Sequence, residues 1–283
     1  MNTIAIDVGG TKFTVAIFEG ERIIRRESQA TDREGGRDWM LQRLGLLLRQ
    51  WKQESRIDRC GIGFGGPVSF EAQRVVMSTH AGGWGGFDLP AFIEEIIGVR
   101  PIMDNDANAG ALGEALYGAG RGRLPLFYMT LSTGIGGGIV LSDGSLYRGS
   151  DSYAGEIGHL TVRPDGPLCL CGACGCLERM CCGLWLEKDH GRSAKELLQD
   201  ASFVRRYVVD LARGLKAAIM LLNPARIVIG GGISRAGDAL FVPLGEELGH
   251  QITAWSHARV DVVPAALADD SVLYGARALA AAS

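Results

Sequence analysis

The pattern of hydrophobic and polar positions divides the chain into two halves that begin in the same way. An apolar run at 3–8 is followed by two glycines, and strand-like segments continue at 12–18 and 22–28. A similar series of apolar run, glycine-rich turn and strand begins at 126–132, displaced by about 124 positions. Short apolar runs bounded by tight turns predict strands. Each half is therefore predicted to begin with a three-stranded meander.

Helices and strands alternate after each meander. Apolar side chains recur at helical spacing over 37–53 and over 203–222, where Asn223-Pro224 is expected to end the helix. The other predicted elements are strands at 59–64, 101–103, 226–234 and 259–263, a hairpin-like segment at 74–79, and helices at 90–97, 107–119 and about 270–281.

This repetition predicts a duplicated α/β fold of two domains with a ligand in the cleft between them. We expect an N-terminal α/β domain over 1–106, joined by the C-terminal helix at about 270–283. The larger C-terminal α/β domain is expected over 107–269.

Composition narrows the class of protein. The 283 residues include 41 glycines, and these cluster at the predicted strand ends, as tight turns near ligands do. The net charge of −3 and the absence of Lys/Arg runs argue against nucleic-acid binding. No apolar run approaches the roughly 18 residues that a membrane span needs. An odd number of cysteines and no signal peptide predict a soluble, cytoplasmic protein.

Two glycine-rich turns are candidates for phosphate binding. In DVGGTK (7–12), the backbone N–H groups of Gly9, Gly10 and Thr11 could cradle phosphate oxygens, and Asp7 could hold a hydrated Mg²⁺. STGIGGG (132–138) is predicted as a second, opposed turn of this kind.

Neither turn matches the GxxxxGK[ST] phosphate loop, and either one alone is more often a simple turn. Their equivalent places in two repeats favour phosphate binding. A third block, at 230–232, ends a predicted strand and could lie under an adenine ring.

Asp106 is the candidate general base. It follows a predicted buried strand, where a carboxylate could accept the proton of a hydroxyl that attacks the γ-phosphate. The alternative is a helix N-cap, which Asp104, Asn105 or Asp106 could each supply. The two phosphate-binding turns favour catalysis by Asp106.

The segment 155–178 predicts a zinc site. Four cysteines, at 169, 171, 174 and 176, follow His159, and thiolates with an imidazole suit tetrahedral Zn²⁺. Glu156 and Glu178 flank the cluster and could bind a polyhydroxylated ligand, or could be solvated acids beside a structural knuckle. A redox role for the CGAC thiols is disfavoured, because the other thiols and the histidine account for a metal.

Several other residues favour structural roles. Cys60, on a predicted strand, is expected in the core. Trp84 could stack on a sugar or fill a gap in the packing, and the sequence favours neither. The remaining histidines lack metal-ligand spacing and are predicted as surface or packing residues: His80, His190, His250 and His257.

These motifs together resemble the ROK family of repressors, open reading frames and kinases. The most specific match is GEIGH followed by CLCGACGCLE, and it is accompanied in the family's order by DVGGTK, GFGGPV, DNDANAGALGE, STGIGGG and IVIGGGIS. The resemblance covers nearly the whole chain. It implies an actin-like, hexokinase-type (ribonuclease H-like) fold and an ATP-dependent sugar kinase that uses Mg²⁺ and carries a structural Zn²⁺.

The resemblance also implies a role for particular residues. Asp106 would be the catalytic base. The sugar would be bound by Gly66, Asn105, Asp106, Glu156, His159 and Glu178. ATP would be bound by Asp7, Gly9, Gly10, Thr11, Lys12, Thr133, Gly134 and Gly231. Zinc would be held by His159, Cys169, Cys171 and Cys176.

Some positions depart from the family pattern. Gly65 stands where members often have proline, and Cys174 is an additional thiol within the cluster. Family repressors carry a DNA-binding helix-turn-helix ahead of the kinase-like part. Here the first phosphate turn begins at Asp7, so we expect an enzyme and no nucleic-acid partner. The resemblance suggests a homodimer.

The expected reaction is phosphorylation of a hexose, glucose at its 6-hydroxyl above others. Within the enzyme class, the alternative is an N-acylhexosamine kinase acting on N-acetylmannosamine or N-acetylglucosamine. From another class, the alternative is a non-catalytic sugar sensor, which Asp106 and both phosphate turns disfavour. A zinc-ribbon nucleic-acid binder is disfavoured by the charge.

Overall fold

The computed structural model describes residues 1–32, 34–78 and 82–281. These residues form two compact units. Unit 1 contains Met1–Gly113, Arg148–Tyr153 and the chain from Asp270 onward. Unit 2 contains Glu114–Tyr147 and Ala154–Asp269. The domain limits expected from the sequence, 1–106 and 107–269, stay a prediction beside this division.

The elements are as follows in chain order. The strands are β1 (Asn2–Val8), β2 (Lys12–Glu19), β3 (Arg22–Ala30), β4 (Arg59–Phe64), β5 (Val68–Ser69), β6 (Arg74–Val75), β7 (Ile102–Asn105), β8 (Leu126–Leu131), β9 (Ile135–Val140), β10 (Leu146–Tyr147), β11 (Arg226–Gly230) and β12 (Asp261–Pro264). The α-helices are α1 (Gly36–Glu54), α2 (Leu89–Ile97), α3 (Asp106–Tyr117), α4 (Leu177–Cys181), α5 (Gly183–His190), α6 (Ala194–Leu197), α7 (Ala201–Leu222), α8 (Asp238–Gln251) and α9 (Ser271–Ala281).

The two units contain five-stranded sheets of the same topology. The strand order is β3-β2-β1-β4-β7 in unit 1 and β10-β9-β8-β11-β12 in unit 2. In each sheet the first three strands of the unit are antiparallel neighbours, and the other pairings are parallel. The predicted duplication of a meander followed by parallel strands is confirmed.

Helices cover both faces of the unit 1 sheet. Side chains of α1 and α2, including Trp51 and Ile93, pack with those of the sheet in one apolar core. On the other face, α9 lies very close to β4, because a Cβ on Gly61 would lie 1.9 Å from the carbonyl oxygen of Ala276. Only glycine permits this approach. The end of β4, which leads to Gly65 and Gly66, is therefore fixed from both faces.

In unit 2, the long helix α7 is the centre of the core. Its buried face contains Val204, Val208, Leu211 and Leu215, as the helical spacing predicted. The helix begins two residues earlier than predicted, because the Asp200 carboxylate accepts hydrogen bonds from the N–H groups at its start. It ends at the predicted place, where the backbone becomes left-handed before a proline.

The glycine-rich segment 132–138 differs from the prediction. The structure continues β9 through Gly136–Gly138, so only residues 132–134 form the turn. These glycines belong in the strand because of close packing. A Cβ on Gly137 would lie 2.5 Å from the carbonyl oxygen of Gly155 and 2.7 Å from the ring of Phe127. The glycine-rich turn predicted over 132–138 is thus limited to its first three residues.

Other limits also moved. β11 ends at Gly230, not at residue 234, because Gly231 turns the chain with a φ of 87°. The short helices α4, α5 and α6 were not predicted. None of the helices in the described residues combines the length and the hydropathy needed to cross a membrane.

Candidate active site

The β1–β2 turn is closed by its own backbone. The Gly9 N–H donates to the Lys12 carbonyl oxygen at 3.0 Å, and a Cβ on Gly9 would lie 2.9 Å from that oxygen. Thr31, which the sequence did not single out, supports the turn. Its N–H donates to the Thr11 carbonyl, and its hydroxyl donates to the Gly9 carbonyl. Asp7, half-buried near the end of β1, and Gly10 lie in the same stretch.

Asp106 lies beside this turn within unit 1. It is half-buried and is the first residue of α3. The position that a Cβ on Gly65 would occupy is 3.4 Å from Asp106 Oδ2 and also 3.4 Å from Gly9 Cα. The carboxylate and the turn therefore border the same point. The same point is 3.0 Å from the Val8 carbonyl oxygen, so only a residue without a side chain lets the Asp106 carboxylate and the Gly9 turn come this close.

Asn105 supplies the cap of α3. Its Oδ1 accepts hydrogen bonds from the N–H groups of Ala107 at 2.9 Å and Asn108 at 3.4 Å. Its Nδ2 donates to the Gly66 carbonyl at 3.0 Å, which joins β7 to the GFGGPV segment. The structure thus gives the capping function to Asn105, which is one of the alternatives that the sequence left open.

The turn of unit 2, at 132–134, is held by different contacts. The N–H groups of Gly183 and Leu184 donate to the carbonyls of Ser132 and Thr133. Glu178 reaches the same turn, because its Oε2 accepts a hydrogen bond of 2.9 Å from the Ile135 N–H. A Cβ on Gly134 would lie 2.9 Å from that oxygen. Glu178, predicted to bind the sugar, and Gly134, predicted to bind phosphate, are therefore neighbours.

Glu156, His159 and Glu178 form one electrostatic group in unit 2. Burial raises the pKa of Glu156 above its usual value. A positive charge on His159 opposes this rise, and the negative charge of Glu178 adds to it. The charges of His159 and Glu178, which lie 3 and 22 positions further along the sequence, thus act on the Glu156 carboxyl.

His159 and three cysteines bring their donor atoms together. The donor atoms of His159, Cys169, Cys171 and Cys176 all lie within 4.8 Å of one another. The Sγ atoms of Cys171 and Cys176 are 3.6 Å apart. Two thiolates at about 2.3 Å from a tetrahedral zinc would be separated by about 3.8 Å. The set therefore fits Zn²⁺ in both chemistry and spacing.

Cys174 does not belong to this group of donor atoms in the part of the chain that the structure describes. Its backbone pairs with that of Leu168, and the residue is exposed. The neighbouring Ala173 N–H stabilises the thiolate of Cys171 and lowers the pKa of that thiol. Burial raises the pKa of Cys176 to about 12. A bound divalent cation would favour the thiolate form of both.

The cysteine segment is tied to α7. Gly175, with a φ of 62°, accepts hydrogen bonds from the N–H groups of Val162 and Arg163. The guanidinium of Arg163 then pairs with the buried carboxylate of Asp210 on α7 at 2.8 Å. Neither residue was singled out from the sequence. The signal that could have found them is an acidic residue on the apolar face of the helix.

Gly231 turns the chain directly after the end of β11. Its φ is 87°, and a Cβ would lie 2.5 Å from the Leu131 carbonyl oxygen. Its own carbonyl accepts a hydrogen bond of 2.8 Å from the Ser234 hydroxyl. Any larger residue would be strained here and would clash with β8. The position can thus offer bare backbone to a ligand.

Burial decides the role of Trp84, which the sequence left open, and also places Cys60. Trp84 is 2% exposed and packs edge-on against Phe64 at 5.0 Å, so it fills the core of unit 1. Cys60 is buried in the same core, as predicted. His190, His250 and His257 are exposed. His80 lies outside the described residues.

Comparisons with known proteins identify the family of this chain. The sequence model of the ROK family matches residues 3–283. The chain belongs to the ROK family. The resemblance drawn from the motifs is therefore confirmed, and the ROK fold accounts for the duplicated sheet.

Individual relatives of this ROK protein differ in their sugar. A glucokinase of Thermotoga maritima is 32% identical, over 99% of this chain and 97% of its own. An N-acetylmannosamine kinase of Vibrio cholerae is also 32% identical, over 83% and 85%. A ROK family glucokinase from Streptomyces griseus, solved in complex with glucose and AMPPNP, superposes with a TM-score of 0.86 at 26% identity and full coverage of both chains.

Proposed function

We propose that this protein transfers the γ-phosphoryl group of Mg·ATP to the 6-hydroxyl of glucose. The chain is an ATP-dependent sugar kinase of the ROK family. The choice of glucose is supported by the Thermotoga and Streptomyces glucokinases. The observation that carries the mechanism is the Asp106 carboxylate beside the Gly9 turn, a close approach that the missing side chain of Gly65 permits.

In this proposal, unit 1 supplies the base and one set of phosphate contacts. Asp106 accepts the proton of the sugar hydroxyl as it attacks, and Asn105 and Gly66 bind the sugar next to it. Backbone N–H groups at Gly10 and Thr11, with Lys12, hold phosphate oxygens, and Gly9, whose N–H closes the turn on the Lys12 carbonyl, lets the phosphates approach its backbone closely. Asp7 would hold hydrated Mg²⁺, which neutralises charge on the phosphates. Phosphoryl transfer needs little covalent help, so this positioning carries the rate.

Unit 2 supplies the polar groups that orient the sugar. Glu156 interacts electrostatically with His159 and Glu178, and carboxylates accept hydrogen bonds from sugar hydroxyls with directional preference. Thr133 and Gly134 are assigned to phosphate binding, and Glu178 is next to them. The bare backbone at Gly231 is assigned to adenosine. Each assignment is a proposal for the described side chains.

The zinc site has a structural role in this account. His159, Cys169, Cys171 and Cys176 would hold the ion, which supplies four bonds that fix the segment. Since three thiolates and one imidazole complete a tetrahedral shell, no position is left for a reacting water. The ion would keep His159, and the chain that bears Glu156 and Glu178, in fixed positions.

An N-acylhexosamine kinase is the second candidate. The Vibrio cholerae N-acetylmannosamine kinase, at 32% identity, favours it. The difference depends on space for an acetyl group at C2, which segments 65–69 and 82–87 would control.

A homodimer without a nucleic-acid partner completes the proposal, in line with the family resemblance.

A coupled ADP-release assay tests the proposed function. The panel contains glucose, mannose, fructose, allose, N-acetylmannosamine and N-acetylglucosamine. We expect the highest kcat/KM with glucose. A higher value with an acetylated sugar would replace glucose by the second candidate. No ADP release with any sugar would indicate a sensor and overturn the proposal.

A further inference from the structure

The carboxylate of Asp104 lies in the core of unit 1, two residues before the proposed base. Asp104 is 2% exposed, at the end of β7. A buried carboxylate is costly unless it is paired and hydrogen-bonded. The partner here is Arg148, whose Nε donates to Asp104 Oδ2 at 2.8 Å.

Arg148 is held in place by more than its charge. Its guanidinium lies over the ring of Phe70, 3.6 Å from the ring centroid, and its side chain is 22% exposed. The backbone N–H of Phe70 donates to the hydroxyl of Ser152 in the same segment. The segment Arg148–Tyr153 thus belongs to unit 1, where Arg148 is held between the Phe70 ring and the buried Asp104 carboxylate.

The second oxygen of Asp104 acts on the start of α3. Asp104 Oδ1 accepts hydrogen bonds from the Asn105 N–H at 2.7 Å and from Asn108 Nδ2 at 2.9 Å. Asn105 in turn caps the helix and holds the Gly66 carbonyl. The residues on either side of Asp106 are therefore bound to one carboxylate, whose charge Arg148 balances.

We propose that Arg148 is a positioning residue, which acts through Asp104 to fix Asp106 for proton abstraction. This inference rests on the proposed role of Asp106. Without the guanidinium, the buried carboxylate would carry an uncompensated charge and would move toward water. This movement would alter its bonds to Asn105 and Asn108, and with them the direction of the first turn of α3.

The first test is the kcat of Arg148→Ala at saturating glucose and ATP. A displacement of about 1 Å near reacting atoms can cost about 100-fold, so we expect kcat to fall by about 10- to 100-fold. Arg148→Lys, which keeps the charge, should recover part of the loss. Arg213→Ala is the matched control, because Arg213 also pairs with a buried acid, Asp210, but lies in unit 2.

A structural role alone would lower the melting temperature and leave the kcat of the folded enzyme unchanged. An unchanged kcat in Arg148→Ala, or the same loss in Arg213→Ala, would overturn the proposal. If Arg148→Ala does not fold, Arg148→Lys decides. A reduced kcat at an unaltered melting temperature supports positioning, and an unaltered kcat overturns it.

A double-mutant cycle tests the route through Asp104. In an Asp104→Asn background, Arg148→Ala should have a much smaller effect on kcat than in the native chain. Independent effects would contradict the proposed route. Asp106→Asn separates this from the function itself. If that variant retains turnover, the base assignment fails, whereas a dead Asp106→Asn with a fully active Arg148→Ala removes only the positioning role.

Discussion

The two glycine turns occupy equivalent places in the duplicated sheet, but different groups surround them. The turn after β1 closes on itself through Gly9 and Lys12, and it faces Asp106 across the side-chain-free Gly65. The turn after β8 is held from behind by the N–H groups of Gly183 and Leu184. A carboxylate is also near this second turn, but Glu178 is hydrogen-bonded to its backbone at Ile135.

The repeated topology therefore supplies the scaffold and not the chemistry. In unit 1, strand β7 leads directly into helix α3, which Asn105 caps and Asp106 begins. In unit 2, the segment 155–178 brings Glu178 to the turn and also carries Glu156, His159 and the clustered thiols. We therefore expect damage to unit 1 to affect turnover, and damage to the cysteine segment to affect sugar affinity.

The largest effect is expected from Asp106→Asn. Removal of a general base costs about 10²–10⁴ in rate, so kcat should fall by that factor while the KM for ATP changes little. Steady-state kinetics measure both. Glu178→Gln is the comparison in unit 2 and should mainly weaken glucose affinity. Near-normal turnover in Asp106→Asn would remove the base from unit 1.

Loss of the zinc site should follow next in size. Cys171→Ser, or treatment with a chelator, should abolish zinc content and weaken glucose binding by about 10- to 100-fold, because the metal shell orients its neighbours. Calorimetry gives the glucose and ATP affinities, and metal analysis gives the zinc content. Cys174→Ser, outside the cluster, should retain both. An equal loss of ATP binding in Cys171→Ser would mean that the cluster only supports the fold.

A smaller effect is expected at the end of β11. Gly231→Ala forces a side chain into a left-handed conformation, with a strain of about 1 kcal/mol or more, so the KM for ATP should rise by about fivefold. Gly232→Ala is the matched control, since nothing lies within 4 Å of its Cβ position. If both substitutions change the KM for ATP equally, the assignment of adenosine to Gly231 is wrong.

The smallest effect on activity is expected at Trp84. Because this ring is buried against Phe64 and Phe87, Trp84→Phe should lower the free energy of unfolding by about 0.5–3 kcal/mol. The KM for glucose should stay the same. Chemical denaturation and kinetics check the two quantities. A large rise in the KM for glucose would support stacking on a sugar instead.

Local patterns predicted much of the fold because their causes are local. The apolar stripe of α7 and the asparagine and proline at its end depend on residues a few positions apart. The duplicated meander is visible for the same reason. The glycines of β9 misled the prediction, because Gly136–Gly138 join a strand by pairing with β8, and Gly137 packs against Gly155 and Phe127, which lie 18 and 10 positions away.

The site was predictable where a motif carries it and hidden where long-range contacts do. The histidine and cysteine spacing led to the clustered donor atoms, but the sequence could not place Cys174 outside the cluster. Arg148 meets Asp104 across 44 positions, and Thr31 meets the Gly9 turn across 22. No local pattern encodes either contact.

Transfer of the γ-phosphoryl group from ATP to glucose is tested most directly by following that group itself. The protein, with Mg·ATP and glucose, is monitored by ³¹P NMR together with ADP release. We expect one glucose 6-phosphate for each ADP, and formation of both products about 10²- to 10⁴-fold more slowly with Asp106→Asn. ADP without phosphosugar, or phosphosugar formed at the native rate by Asp106→Asn, would contradict it.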